Sequence, residues 1–210
     1  MRVWLPDRPG ALGQVASRIG AVRGDVVGIE ILERGGGSAI DELVVSLPDD
    51  VSREQLLAEI ALVEGVAVED VRPIDRDRPD AGMAALTIAA VLVETTPDLR
   101  LEEFCHQLQV LVDGSWALAM RTCDGVTLVE RGNPPDTNWL AAFFAGTRHL
   151  SAGDHGRAAP DDVVWAHLES PGVSVAAGRG DRPFHARERK QVALLARVAD
   201  GLLSTSLDRA

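Results

Sequence analysis

A short apolar stretch at the start of the chain runs into a tight turn, and this turn limits what can follow it. Residues 7–12 read DRPGAL. Pro9 fixes a backbone angle that suits a turn, Gly10 tolerates left-handed conformations, and apolar residues recur at helical spacing from Leu12 onwards. A strand that enters a helix through such a turn leaves free backbone N–H groups at the helix start. Those donors beside the acidic side chain of Asp7 favour binding of a small zwitterion.

Hydrophobic periodicity predicts the element order βαββαβ for residues 1–74. Apolar residues alternate on both sides of the glycine-rich turn at 35–38, which indicates a hairpin. The sequence at 52–55 has the spacing of a capping box at the start of the second helix. Gly24 and Gly65 are the predicted ends of the first and second helix. This order predicts one sheet that carries both helices on one face.

The βαββαβ order together with the DRPGAL turn resembles the ACT domain family of small-molecule regulatory modules, over about a third of the chain. The resemblance implies a ferredoxin-like α+β fold for residues 1–74. ACT domains usually bind amino acids or related metabolites at an interface between two ACT copies. The implied site combines the turn of one copy with the start of the second strand of its neighbour. Its ligand-binding residues here are Asp7, Arg8, Pro9, Gly10, Ala11, Leu12, Asp25 and Val26.

In such a site, backbone N–H groups at the helix start would hold a carboxylate, and Asp7 or Asp25 would pair with an ammonium group. Many amino-acid-binding ACT domains carry asparagine where this chain has Asp25. The aspartate adds a charge and removes two hydrogen-bond donors. The alternative is purely structural: Asp7 helps to cap the first helix and Asp25 belongs to the turn before the strand.

A polar stretch with a proline at 75–81 predicts a linker, and the composition changes at the start of the region 82–210. The helix predicted over 83–94 is apolar nearly all round, so it needs cover on both sides, by its own domain and by something else. Two strand pairs and a long final helix follow. Together with the RPFHARE sequence at 182–188, these elements resemble a GAF-like α+β domain with long flanking helices. GAF domains bind cyclic nucleotides, metabolites or chromophores, or dimerise, and the resemblance assigns no ligand residue here.

Charge and hydropathy narrow the class of partner. The formal net charge is −11 and the isoelectric point is about 4.8, which disfavours nucleic acid and anionic membrane surfaces. The longest apolar run, 83–93, is 11 residues long, against about 20 for a membrane-spanning helix. No signal-peptide pattern precedes the first strand, so the chain is expected to be cytoplasmic. Cys105 and Cys123 lack the spacing of a redox or metal motif and are expected as two reduced thiols.

No motif in the sequence predicts a cofactor, a metal site or a catalytic centre. His149, Asp154 and His155 share a loop but lack the spacing of metal ligands. His167 lies in a strand and is expected as a core or surface residue. The aromatic side chains of the second region are expected in its core rather than around a cavity.

The sequence therefore predicts a non-enzymatic regulatory protein that binds an amino acid or related metabolite at an ACT dimer interface and couples it to a GAF-like domain. A homodimer is expected because the chain has one ACT copy. A second reason is that the helix at 83–94 and the final helix could pair across a two-fold axis. One alternative is an interaction scaffold with degenerate ligand sites. The other is an enzyme with a hidden pocket in the second region, which a cleft joining His167 to a carboxylate would favour.

Overall fold

The computed structural model describes residues 1–75, 80–148, 160–170 and 172–207. The chain divides into two compact units, Met1–Arg78 and Pro79–Ala210. Across the described residues the architecture is mixed α+β, with six helices and two antiparallel four-stranded sheets.

The first unit has the predicted order βαββαβ. Its elements are β1 (Arg2–Pro6), α1 (Ala11–Ala21), β2 (Asp25–Gly35), β3 (Ser38–Ser46), α2 (Arg53–Ile60) and β4 (Ala67–Asp70). The strand order in the sheet is β2-β3-β1-β4, so β2 and β4 are the edges. Alternate residues of β1 and β3, such as Val3 and Leu43, form one core cluster with residues of both helices. The turn that follows β1 therefore starts from an interior strand of the sheet.

The end of α1 differs from the prediction in the residue that adopts the left-handed conformation. The helix ends at Ala21, and the left-handed residue after it is Arg23, with φ of 62°, rather than Gly24. The backbone N–H groups of Arg23 and Gly24 donate to the carbonyls of Gly20 and Ile19, at 2.9 and 3.0 Å. This is a Schellman arrangement. Gly24 is needed for space, because a Cβ there would lie 2.9 Å from the Ile19 side chain.

The capping box at the start of α2 is confirmed. The Gln55 N–H donates to Ser52 Oγ, and the Ser52 N–H donates to Gln55 Oε1 at 2.8 Å. The prediction that α2 ends at Gly65 is wrong, since the helix ends at Ile60 and turns occupy the residues between.

The second unit is built on the other sheet. Its elements are α3 (Ala81–Glu94), α4 (Arg100–Leu111), β5 (Trp116–Arg121), β6 (Thr127–Gly132), α5 (Thr137–Thr147), β7 (Val163–Leu168), β8 (Val173–Gly178) and α6 (Ala186–Leu207). The strand order is β6-β5-β8-β7. One core cluster joins the sheet to α3, α4 and α6, and a second joins it to α5. The sheet is therefore covered by three helices on one face and by α5 on the other.

The helix α3 is covered on one side only. Ile88 and Leu92 are buried in the core cluster of the second unit, whereas Met83, Leu86 and Val93 are each more than half exposed. Among the described residues of one chain, α3 thus has the cover expected from its own domain, and the second partner that the sequence predicts is not among them. Of the helices that the structure describes, none has the length and apolar character needed to cross a membrane.

Candidate functional site

The DRPGAL turn joins β1 to α1 and leaves the start of the helix open. Gly10 is the N-cap residue of α1 with φ of 87°, a left-handed conformation that costs a glycine little. No side chain caps the helix. The structural alternative, in which Asp7 caps α1, is therefore wrong for the described residues. The first turn of α1 contains no acidic residue either, so no carboxylate of the helix compensates the partial positive charge of its free N–H groups.

The turn is held against the hairpin between β2 and β3. The backbone N–H of Asp7 donates to the carbonyl of Gly37 at 3.0 Å. Pro6 pairs with Ser38 at the end of the β1–β3 ladder. The DRPGAL turn thus lies at the end of the sheet where β2 stops and β3 starts.

The two halves of the predicted site lie at opposite ends of the sheet in one chain. Asp25 pairs with Ser46 at the far end of β3, whereas Asp7 follows Pro6, the partner of Ser38. Eight residues of extended strand separate Ser38 from Ser46, or about 26 Å. The structure brings Asp7, Arg8, Pro9, Gly10, Ala11 and Leu12 together but leaves Asp25 and Val26 apart from them. A site that uses both halves needs a second copy of the chain.

A buried carboxylate that the sequence reasoning missed lies near the turn. Asp41 of β3 is 3% exposed, and its Oδ1 is buried without a hydrogen-bond partner in the described part of the chain. It pairs in register with Val3 of β1 and Ile31 of β2. The signal was present in the sequence, because Asp41 occupies an apolar position in the alternation between Ala39 and Leu43.

Asp41 forms a charged cluster with Asp7 and Arg34. Arg34 Nε lies 4.0 Å from Asp7 Oδ1, and both side chains are well exposed, at 59% and 41%. Burial raises the pKa of Asp41; the Arg34 guanidinium lowers it, and the Asp7 carboxylate raises it further. Two exposed charges and one buried charge therefore lie within electrostatic reach of each other at the same end of the sheet.

Arg8 lies on another side of the turn, in an open groove between α1 and the end of α2. The groove has a volume of about 520 Å³. Its walls include Arg8, Gln14, Arg18 and Val63. Arg18 is paired with Glu59 at 3.3 Å, so part of the groove's positive charge is already compensated.

His167 of β7 is the main polar group on the α5 side of the second sheet. Its Nδ1 lies 2.8 Å from Ser174 Oγ, and its Nε2 lies 3.3 Å from Thr147 Oγ1. Thr147 donates its own hydroxyl proton to the Phe144 carbonyl, so the hydroxyl accepts from Nε2 and Ser174 donates to Nδ1. Burial lowers the pKa of His167. The imidazole lies between two hydroxyl groups, and its burial favours the neutral form.

This arrangement lacks what a hydrolytic site requires. Ser174 has no exposed surface, and the hydrogen-bond partners of the His167 ring in the described residues are hydroxyls rather than a carboxylate. His149, Asp154 and His155 lie outside the described residues. Within the described ranges, no group of three or more His, Cys, Asp or Glu side chains is placed to hold a metal ion.

The aromatic and thiol side chains mostly agree with the sequence. Trp116 and Trp165 are buried in the core as expected, but Trp139 is 42% exposed and stacks on Phe143, with ring centroids 5.3 Å apart. Both cysteines are free thiols. Burial raises the pKa of the Cys105 thiol to about 12, which makes it an unreactive core residue.

Comparison with known proteins gives little for this chain. No protein-family model matches it, and no curated protein matches it. Among solved structures, a bacteriophytochrome from the photosynthetic bacterium R. palustris superposes with a TM-score of 0.41 and 13% sequence identity. The match covers 87% of this chain and 48% of that chain, so this chain spans about half the length of the bacteriophytochrome. At that TM-score the similarity defines neither the fold family nor a ligand of this chain.

Proposed function

We propose that the chain is a non-enzymatic regulatory protein whose first unit is an ACT-like domain that binds an amino acid or related small metabolite. The observation that carries this proposal is the connection from β1 to α1. A DRPGAL turn with a left-handed Gly10 leads into an uncapped helix within a βαββαβ unit of sheet order β2-β3-β1-β4. Such a helix start attracts a carboxylate, and Asp7 beside it attracts an ammonium group.

The proposal includes a homodimer, because Asp25 reaches the turn only from a second copy. Two exposed apolar surfaces support it. On the edge strand β2, Val27 and Ile29 are each more than half exposed. In the second unit, Met83 and Leu86 of α3 and Leu194 of α6 are exposed apolar residues of helices that pack on each other. Exposed apolar surfaces of this kind commonly mark interfaces.

In this proposal the second unit is a GAF-like domain that transmits or receives the signal. Its sheet, with three helices on one face and α5 on the other, supports that assignment. A ligand bound between two first units would favour one dimer geometry by binding it more tightly than the other.

Thermal-shift measurements with the twenty standard amino acids at millimolar concentration test the proposal. At least one amino acid should raise the melting temperature of the wild-type chain, since a ligand that binds only the folded state stabilises it. Asp7→Ala should abolish that rise, and Asp49→Asn, an exposed carboxylate in a loop of the same unit, should retain it. A panel without any shift would count against ligand binding.

Light scattering at micromolar concentration tests the dimer. The wild-type chain should have twice its 22.4 kDa mass. Leu86→Glu replaces an exposed side chain, so it should leave the fold intact and weaken a dimer built on α3. A monomeric wild-type chain would contradict the shared site.

The alternative function is an interaction scaffold, and the exposed apolar face of α3 is the observation that favours it. The two functions differ in their response to ligand. A scaffold would form the dimer and show no thermal shift with any amino acid, whereas the regulatory protein would show both.

A further inference from the structure

Asp41 is a charged residue at a core-facing position of β3, and the packing of the fold does not explain a carboxylate there. Its strand neighbours on the same face, Ala39 and Leu43, belong to the hydrophobic core of the first unit. A buried polar atom without a partner loses its hydration and gains nothing in return. Asp41 Oδ1 is such an atom among the described residues. A carboxylate that served only the fold would be expected to have a partner.

The adjacent residue shows what a structural carboxylate looks like in the same strand. Glu42 points to the opposite face and accepts from Nε of the buried Arg2 at 2.8 Å. Glu42 is thus matched by a cation from a neighbouring strand. Asp41, one residue earlier, pairs in register with the apolar Val3 and Ile31.

We propose that Asp41 is a ligand-binding residue that receives the ammonium group of an α-amino acid in a site formed with Asp7 and Arg34. This inference rests on the proposed function and specifies which side chains recognise the ligand. These three residues form the half of the shared site that one copy of the chain contributes, at the end of the sheet that carries the DRPGAL turn. Asp7 and Arg34 form its exposed rim and Asp41 its buried floor.

The charges of the cluster select this class of ligand. Two carboxylates and one guanidinium leave a net charge of −1, which favours a ligand with a cationic group. The single cation, Arg34, and the open start of α1 can hold the ligand carboxylate. An ammonium group has three donors and no acceptor, so it suits Asp41 Oδ1 and Asp7 together. The cost of burying Asp41 Oδ1 without a hydrogen bond in the free protein is recovered when the ligand binds.

This assignment predicts opposite effects on stability and on binding. Replacement of Asp41 by an uncharged residue removes a buried carboxylate whose Oδ1 has no hydrogen bond among the described residues, so the ligand-free protein should not lose stability. The same replacement removes the partner of the ligand's ammonium group, so ligand binding should fail. A residue with a purely structural role would show the reverse stability effect.

The test uses the full chain, thermal shift and titration calorimetry, and the amino acid that shifts the wild-type chain most. Asp41→Asn and Asp41→Val should melt at or above the wild-type temperature without ligand. Both should bind the amino acid at least about tenfold more weakly, the effect of losing one charge-assisted hydrogen bond. Asp49→Asn should bind as the wild type does. The des-amino counterpart of the amino acid should not bind the wild-type chain.

Each contrary result has a separate meaning. If Asp41→Asn and Asp41→Val bind normally while Asp7→Ala does not, Asp41 is not in the site and the proposed function stands. If both Asp41 variants melt well below the wild type, or if the des-amino compound binds as tightly as the amino acid, the assignment of Asp41 is overturned. If no amino acid binds the wild-type chain, both the assignment and the proposed function fail.

Discussion

Two buried charges, one in each unit, differ in how they are paired. In the second unit, Arg179 is 2% exposed, yet its guanidinium donates to the carbonyls of Val112 and Pro183 at 3.0 and 2.6 Å and to Glu188 at 2.9 Å. It also lies over the ring of Phe184, 3.8 Å from the centroid. In the first unit, Asp41 is equally buried and its Oδ1 has no partner in the described residues.

Other buried arginines of the second unit follow the pattern of Arg179. Arg189 donates to the carbonyls of Val163 and Asp161 at 2.9 and 3.1 Å. Arg182 leaves its Nε unpaired, but its charge is compensated by Asp113 and Asp181. These networks tie α6 to the sheet and to the end of α4. Each of these guanidiniums donates to carbonyls or carboxylates, whereas Asp41 Oδ1 accepts no hydrogen bond among the described residues and the cation that acts on it, Arg34, is well exposed.

The largest expected effect comes from breaking the paired network. Arg179→Met removes the guanidinium that pairs with Glu188 and donates to three carbonyls, and loss of one partner of a buried ion pair costs about 3–5 kcal/mol. Urea unfolding should show that loss of stability. Tryptophan fluorescence is a suitable signal, because three of the four tryptophans are in the second unit.

The matched control is Arg121→Met. Arg121 pairs with Asp124 at 3.0 Å on the surface of the same unit, and exposed pairs contribute at most about 1 kcal/mol. Equal losses in the two variants would show that the buried network is not what holds the second unit together.

A smaller effect, of opposite sign, is expected at Asp41. Its pKa in the folded state is raised above the ordinary value of 3.8, so the folded state binds more protons than the unfolded state just above that pH. Wild-type stability should therefore fall as pH rises through this range. Asp41→Val should remove that dependence and gain about 1 kcal/mol at neutral pH. Calorimetric melting between pH 4 and 7 measures the difference; a gain that does not grow with pH would contradict the assignment of a buried carboxylate.

The smallest effect is expected at His167 of the second unit. Burial holds the pKa of His167 below its ordinary value of 6.5, so the unfolded state binds more protons below that pH. Wild-type stability should fall as pH drops through this range, the reverse of the dependence at Asp41. His167→Gln keeps a neutral hydrogen-bonding group and should flatten this dependence by a fraction of a kcal/mol. A fall in stability of the same steepness in the variant would show that another group titrates.

The sequence predicted most of the fold because each element has a local signal. The alternation in β1 and β3, the helical spacing in α1 and the capping box of α2 are set by neighbouring residues. The end of α1 was missed because Gly24 is required by contact with Ile19, which is a packing requirement rather than a turn requirement. The apolar character of α3 predicted a second partner outside its own domain, and its sequence alone does not say what that partner is.

The candidate site was predicted only in part for a similar reason. The DRPGAL turn is contiguous in the sequence, so its geometry could be predicted from residues 7–12 alone. The cluster with Arg34 and Asp41 depends on β3 lying between β1 and β2, which is set by long-range pairing. The sequence signal for this cluster was a charged residue, Asp41, at a core position of an alternating strand. The residues around Asp41 became known only from the register of β3 with β1 and β2.

Titration calorimetry of the full wild-type chain with the twenty standard amino acids tests directly whether the first unit binds an amino acid through Asp41. At least one amino acid should give saturable heat, and its des-amino counterpart should not bind. The same amino acid should bind Asp41→Asn at least about tenfold more weakly, although this variant melts no lower than the wild type. Absence of binding heat for every amino acid at millimolar concentration would contradict the claim that the buried Asp41 carboxylate of the first unit binds a ligand.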